Sequence, residues 1–199
     1  MIEWIAEETA SLQKELDTLV RRLPGQSPYL LSSWRRAVAV AYGYKSATLV
    51  WRDAGQLQGF LAYCTVKDPL GRTQAVSLPY CDIGGPVAVN AEIASALQAF
   101  FAGTVCPAQA RGGELRLQGE SAEEDEQQLI GKKVNMLLTL PDSEEKLLAA
   151  YPPKLRSQIK KAGKNGLNAV VRTDARGLED FYLVYSRNMH RLGSPAHSK

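Results

Sequence analysis

A chain of 199 residues, 45% hydrophobic and 23% charged, can bury a real core and is long enough for one full domain and part of another. A formal net charge of +3 is too small to make the whole molecule a polyanion binder, so any electrostatic role rests on local clustering. No run approaches the roughly 18 apolar residues of a membrane span, and the opening MIEWIAEETASLQKELDTLVRRL lacks the basic start and apolar core of a signal peptide, which predicts a cytoplasmic protein.

Two helices are predicted first. Ile5, Leu12, Leu16, Leu19 and Leu23 recur at helical spacing until PGQSP breaks the pattern. The second, SSWRRAVAVAYG, has serines to cap its start and Gly43 to end it. The period then changes. ATLVWRD and LQGFLAYCTVKD, separated by AGQ, read as a hairpin, and DPLGR turns the chain into TQAVSLP. The loop YCDIGGPVAV leads to a helix over about 92–105 capped by Asn90, and GELRLQG follows as a strand.

A new unit is expected near Lys132, giving domains at 1–131 and 132–199. KVNMLLTL has a buried-strand pattern, and DSEEKLLAAY is a helix in which Asp142 and Glu145 have capping-box spacing. A basic helix runs from about Pro153 to Lys164, with Asn165 and Gly166 as its stop. LNAVVRT reads as the next strand, and from Asp174 a further helix places Leu178, Phe181, Tyr185 and Met189 on one face. Two strands and three helices leave sheet edges and apolar faces uncovered, so the second unit is expected to be incomplete at Lys199.

Charge is unevenly spread. Five acids lie in ESAEEDE at 120–126, a stretch that reads as a solvated loop, whereas 146–173 carries seven Lys or Arg and no Asp or Glu. In the basic helix Leu155, Ile159 and Ala162 form a narrow apolar stripe, opposite Arg156, Lys160, Lys161 and Lys164. A charge run is ordinarily a solvated face. Lys154 and Arg156, however, fall in the first turn, where the helix dipole disfavours a cation by about 0.3 to 1 kcal/mol. An anion held between the free backbone N–H groups and these side chains reverses that sign, and phosphate or diphosphate fits best.

In LPYCDIGGP, Gly84 and Gly85 supply backbone freedom or room for a ligand. Tyr80 and Asp82 are weak catalytic candidates for orienting or deprotonating an amine, set against a purely structural loop with an Asx-turn. Cys64, Cys81 and Cys106 are odd in number and lack a C-x-x-C, which argues against disulfides or zinc. His190 and His197, seven apart, lack metal-ligand spacing, so no metal is expected.

At the basic helix the sequence resembles a known family. KLRSQIKKAGKNGL is similar to the K-x-R-x-x-I-x-K-A-x-x-x-G-L segment of the Fem-type aminoacyl transferases, which build peptidoglycan interpeptide bridges. SPYLLSSWRRAVAVAYGY, SLPYCDIGGPVA, GELRL and FYLVYSRNMHRLGSPAHSK resemble successive blocks of Fem-related proteins found with exosortase (PEP-CTERM) systems, over nearly the whole chain. The resemblance implies an α+β fold of the GNAT (N-acyltransferase) type, a mixed sheet with flanking helices, present as a first lobe and an incomplete second. It implies transfer of an acyl or aminoacyl group to an amine on a nucleotide- or lipid-diphosphate-linked sugar or peptide of the cell envelope or an exopolysaccharide. Lys154 and Arg156 would face the diphosphate, with Lys160 and Lys161 as secondary contacts. No cofactor is implied; the donor would be an aminoacyl-tRNA or another acyl carrier. The acetyl-CoA signature R/Q-x-x-G-x-G/A is absent from the chain. The chain is shorter than such enzymes, and on that ground an activity of its own is not implied.

Two other functions use the same helix. A nucleic-acid module that binds tRNA would rely on its charge, although it lacks base-reading Asn or Gln and interleaved aromatics. Membrane-surface attachment would be weak, because the apolar stripe is three residues wide and has no Trp or Phe.

Overall fold

The computed structural model describes residues 1–117 and 138–199, and the chain divides into two compact units, Met1–Asp125 and Glu126–Lys199. The expected boundary at 131/132 and most of KVNMLLTL lie outside the described residues.

Strand β1, Ile2–Ile5, opens the first unit and pairs antiparallel with β2, Lys45–Asp53, in the register Ile2 to Trp51 and Ile5 to Thr48. Ile5 therefore belongs to a strand, and helix α1 spans Ala10–Arg22. The helical phase that Ile5 shares with Leu12 is coincidental, because IEWI finds a sheet edge to pair with. Thr9 caps α1 by accepting from the Leu12 N–H at 3.2 Å. Helix α2, Ser32–Tyr42, ends at Gly43 with φ 65° as expected, but the serines do not cap its start: Leu31 occupies the cap position. Ser32 instead donates from its N–H and its hydroxyl to Asp17 of α1, both at 2.7 Å, and ties the two helices together.

The predicted hairpin forms from β2 and β3, Gln56–Lys67. Its two-residue turn, Ala54 and Gly55, has φ 46° and 79°, the paired positive values that match the twist of a tight hairpin. β4, Thr73–Val76, pairs antiparallel with the end of β3, and β5, Val87–Ala88, pairs with Gly59 and Phe60 on that strand. β6, Gly113–Glu114, is parallel to β4, so the sheet is mixed, in the order β1-β2-β3-β4-β6. GELRLQG is thus a two-residue strand followed by irregular chain up to Leu117.

Alternation along the long hairpin makes two cores. Val50, Phe60 and Ala62 face α1 together with Leu12, Leu16 and Leu19. Leu49, Leu61 and Tyr63 face helix α3, Ala91–Phe100, through Ile93 and Leu97. Each fully buried Leu, Val, Ile or Phe among them contributes about 1.5 to 3 kcal/mol. Asn90 caps α3 as predicted, accepting from the Ile93 N–H at 2.9 Å. Beyond Phe100 the chain continues as a π-helical turn, Phe101–Val105, in place of more α-helix.

One charged side chain enters the α1/α2 core. Arg35 is 7% exposed, the sole buried residue of α2. Its Nη1 pairs with Glu8, which also accepts from the Thr48 hydroxyl, and its Nε donates to the Leu30 carbonyl at 3.0 Å.

In the second unit α4 spans Glu144–Ala150. Its cap is Ser143, which accepts from the Lys146 N–H at 3.2 Å; Asp142 stands one residue too early and pairs with the Lys146 ammonium at 2.7 Å, so the expected Asp142/Glu145 capping box does not form. Helix α5 runs Pro153–Lys164 and stops at Asn165, as predicted. Helix α6, Ala175–Arg191, is capped by Asp174, while Arg172 reaches both Asp174 and Asp180. LNAVVRT, 167–173, forms no strand. A strand is completed by a neighbour, and no described residue pairs with it. None of the described residues of this unit is buried.

Candidate functional site

The loop after β4 holds four of the residues singled out in the sequence. Leu78 and Tyr80 both adopt positive φ, 52° and 64°, a strained conformation for residues with side chains that concentrates at ligand-binding loops. The loop is pinned from several sides. Cys81 N–H donates to the Leu78 carbonyl, Arg116 Nη1 donates to the Cys81 carbonyl at 2.7 Å, and Trp34 Nε1 donates to the Cys81 sulfur at 3.0 Å. Ser77 Oγ accepts from the Arg116 N–H, and Gly84 N–H donates to the Arg116 carbonyl at 2.8 Å.

Gly84 and Gly85 are not in the positive-φ region. Their smallness is used by the protein itself: a Cβ on Gly84 would lie 2.4 Å from the Ser77 carbonyl oxygen, and one on Gly85 would lie 3.0 Å from Leu117 Cδ2. The expectation of backbone freedom or ligand approach is therefore replaced by close packing of chain on chain.

Tyr80 is 45% exposed and stacks on Tyr42 with ring centroids 4.3 Å apart, and its hydroxyl lies 2.9 Å from that of Tyr44. Burial, aided by the hydrogen bond to Tyr44, pushes its phenol up to about 12, so at neutral pH Tyr80 donates or accepts a hydrogen bond but is not a phenolate base. Asp82 is exposed on the same loop. Burial also raises the Cys81 thiol, which keeps it protonated and a poor nucleophile. Tyr42, Tyr44 and Arg116 were not singled out in the sequence, and Trp34, which reads there as core, is 39% exposed. The one available signal was the clustering of aromatics in AYGY and PYC, and pairing them required the fold.

The four cations all lie on α5. Lys154 and Arg156 occupy its first turn, which contains no acid, while Lys160 and Lys161 follow toward the end, where cations suit the dipole. Lys154, Lys160 and Lys161 are exposed and Arg156 half-buried. Among the described residues no carboxylate pairs with Lys154 or Arg156. Pro152 and Pro153 begin the helix without a side-chain cap and carry no N–H of their own, and the Arg156 N–H donates to the Pro152 carbonyl, so the N–H groups of Lys154 and Leu155 are those left to an acceptor. Such an end can hold an oxyanion between backbone donors, a guanidinium and an ammonium. His190 is near the end of α6, and beyond it the His197 N–H donates to Tyr185 Oη at 3.1 Å. Among the described residues no three His, Cys, Asp or Glu side chains converge to hold a metal.

No protein-family model and no curated protein sequence matches the chain. In structure it is similar to FemX, with a TM-score of 0.61 and 16% identity over 98% of this chain and 52% of FemX. A ribosomal-protein-alanine N-acetyltransferase from Brucella melitensis biovar Abortus 2308 aligns with a TM-score of 0.40 and 14% identity, over 70% of this chain and 99% of the acetyltransferase. The chain shares the fold of FemX over the aligned residues, α+β with a mixed sheet and flanking helices. It spans about half the length of FemX. No described helix is long and apolar enough to cross a membrane.

Proposed function

We infer that the chain belongs to a Fem-like acyl or aminoacyl transferase whose acceptor amine is carried on a diphosphate-bearing precursor of the cell envelope or an exopolysaccharide. The observation that carries this reading is a cationic first turn, Lys154 and Arg156 of α5, with no described carboxylate to cancel it, in a chain with the fold of FemX. Arg156 grips two diphosphate oxygens and Lys154 adds a mobile charge, with Lys160 and Lys161 as outer contacts. The donor is an aminoacyl ester such as an aminoacyl-tRNA. The amine nitrogen loses a proton and bonds to the ester carbonyl carbon, and the ester C–O bond then breaks to release the hydroxyl. Backbone N–H groups stabilise the oxyanion formed on the way. On the loop of the first unit, Asp82 and the neutral phenol of Tyr80 are the weaker candidates for deprotonating and orienting an amine.

The experiment is a calorimetric titration with a nucleotide-sugar diphosphate, an unrelated tRNA and anionic vesicles at two salt concentrations, repeated with Arg156→Ala. The expected result is a preference for the small diphosphate, weakened by about tenfold or more in the variant. Equal binding of every polyanion, falling steeply with salt, would show instead a tRNA-binding or membrane-surface role for α5.

A further inference from the structure

Leu78 and Tyr80 both carry side chains at positive φ, and packing accounts for only one of them. Leu78 is buried in the core beneath α1, so the strain in its backbone is offset by burial. Tyr80 is exposed, yet its backbone stays left-handed while its ring lies against Tyr42. Strain of this kind lasts only where the surroundings fix the chain on both sides of it.

Arg116, two positions past β6, supplies that fixation. Its N–H donates to the Ser77 hydroxyl at 2.8 Å, its carbonyl accepts from the Gly84 N–H at 2.8 Å, and its Nη1 donates to the Cys81 carbonyl at 2.7 Å. These contacts bracket Tyr80, with Ser77 before it and Cys81 and Gly84 after it. Glu114 accepts from Arg116 Nε at 2.6 Å, so the guanidinium is aimed from β6, and the Glu114 carbonyl accepts from the Ser77 N–H at 2.9 Å. A charged donor on the Cys81 carbonyl holds it more firmly than a neutral one. Trp34 adds a contact to the Cys81 sulfur.

We propose that Arg116 is a positioning residue for Tyr80: reaching from the end of β6, it holds the loop in its left-handed form and keeps the phenol beside Tyr42 and Tyr44. Arg116 acts on a group bound at the phenol only through Tyr80. That such a group is an amine rests on the transferase reading; that Arg116 places Tyr80 does not.

The full chain carrying ring-labelled tyrosine is compared by NMR with Arg116→Met, and Tyr80→Phe identifies the Tyr80 signals. In Arg116→Met the Tyr80 signals are expected to leave their stacked positions at neutral pH. As the phenol parts from Tyr44, its ionisation is expected to fall from about 12 toward the ordinary value near 10. The Tyr63 signals are expected to stay in place, because that ring packs on Phe101 in the other core. Arg116→Lys, which keeps a charged donor, is expected to return part of the change. If Arg116→Met does not fold, Glu114→Ala decides: it removes the partner that aims the guanidinium, and a smaller displacement of Tyr80 in the same direction is expected. Tyr80 signals and ionisation unchanged in folded Arg116→Met, or in Glu114→Ala where that variant stands in, would overturn the proposal. So would a displacement of Tyr63 as large as that of Tyr80, which marks a general loss of packing. Arg156→Ala is expected to leave the Tyr80 signals unchanged, so failure of the diphosphate site is a separate result.

Discussion

Tyr80 combines a backbone in the left-handed region with a phenol stacked on one tyrosine and hydrogen-bonded to another. Burial and the Tyr44 contact both disfavour its charged form, so its folded ionisation is raised to about 12 from the usual value near 10. For a group raised in this way, its contribution to stability is complete below about pH 10 and is lost as pH climbs through about 12. An absorbance titration at the tyrosinate band, comparing the protein with Tyr80→Phe, is expected to lose one step near pH 12; loss of a step near pH 10 would contradict the packing described. Tyr80 and Asp82 were visible in the sequence because aromatic and acidic residues among glycines are rare enough to draw notice. Arg35 was not, since an arginine between Trp34 and Arg36 reads as surface and only the packing of α2 on the sheet reveals that it points inward.

Among the elements, α5 was the most legible. Pro153 at its first position and Asn165 just past its end are local signals that no tertiary contact can reverse. β1 was illegible because four residues carry little pattern of their own and acquire structure by pairing with β2. LNAVVRT failed for the converse reason: its alternation is that of a strand, but alternation does not supply the neighbouring ladder. The loop after β4 makes a sharper claim. Gly84→Ala would drive a methyl group to 2.4 Å from the Ser77 carbonyl, so the loop must shift, and a destabilisation of about 1 to 3 kcal/mol is expected in urea unfolding. Gly103, around which nothing lies within 4 Å, serves as the control, and Gly103→Ala is expected to cost far less.

Across the molecule the two units differ in kind. The first has two apolar cores on opposite faces of its sheet, whereas the described residues of the second leave Val171 93% and Phe181 64% exposed. Exposed apolar side chains of this size are candidate binding points for hydrophobic dyes. An anilinonaphthalene sulfonate titration is expected to show bright emission that falls in Phe181→Ser; emission unchanged in that variant would place the dye elsewhere. The α+β fold with a mixed sheet was expected from the resemblance to the Fem-type transferases, but which strands run parallel was not readable in the sequence. The parallel pairing of β4 with β6 joins residues nearly forty positions apart, a separation that periodicity within either segment does not encode.

The indole of Trp34 rests against the Cys81 sulfur at the base of the strained loop. Thiols quench tryptophan emission at contact, so the molecule comes with a built-in optical gauge: any event that lifts that loop from α2 will brighten the protein, with no label attached.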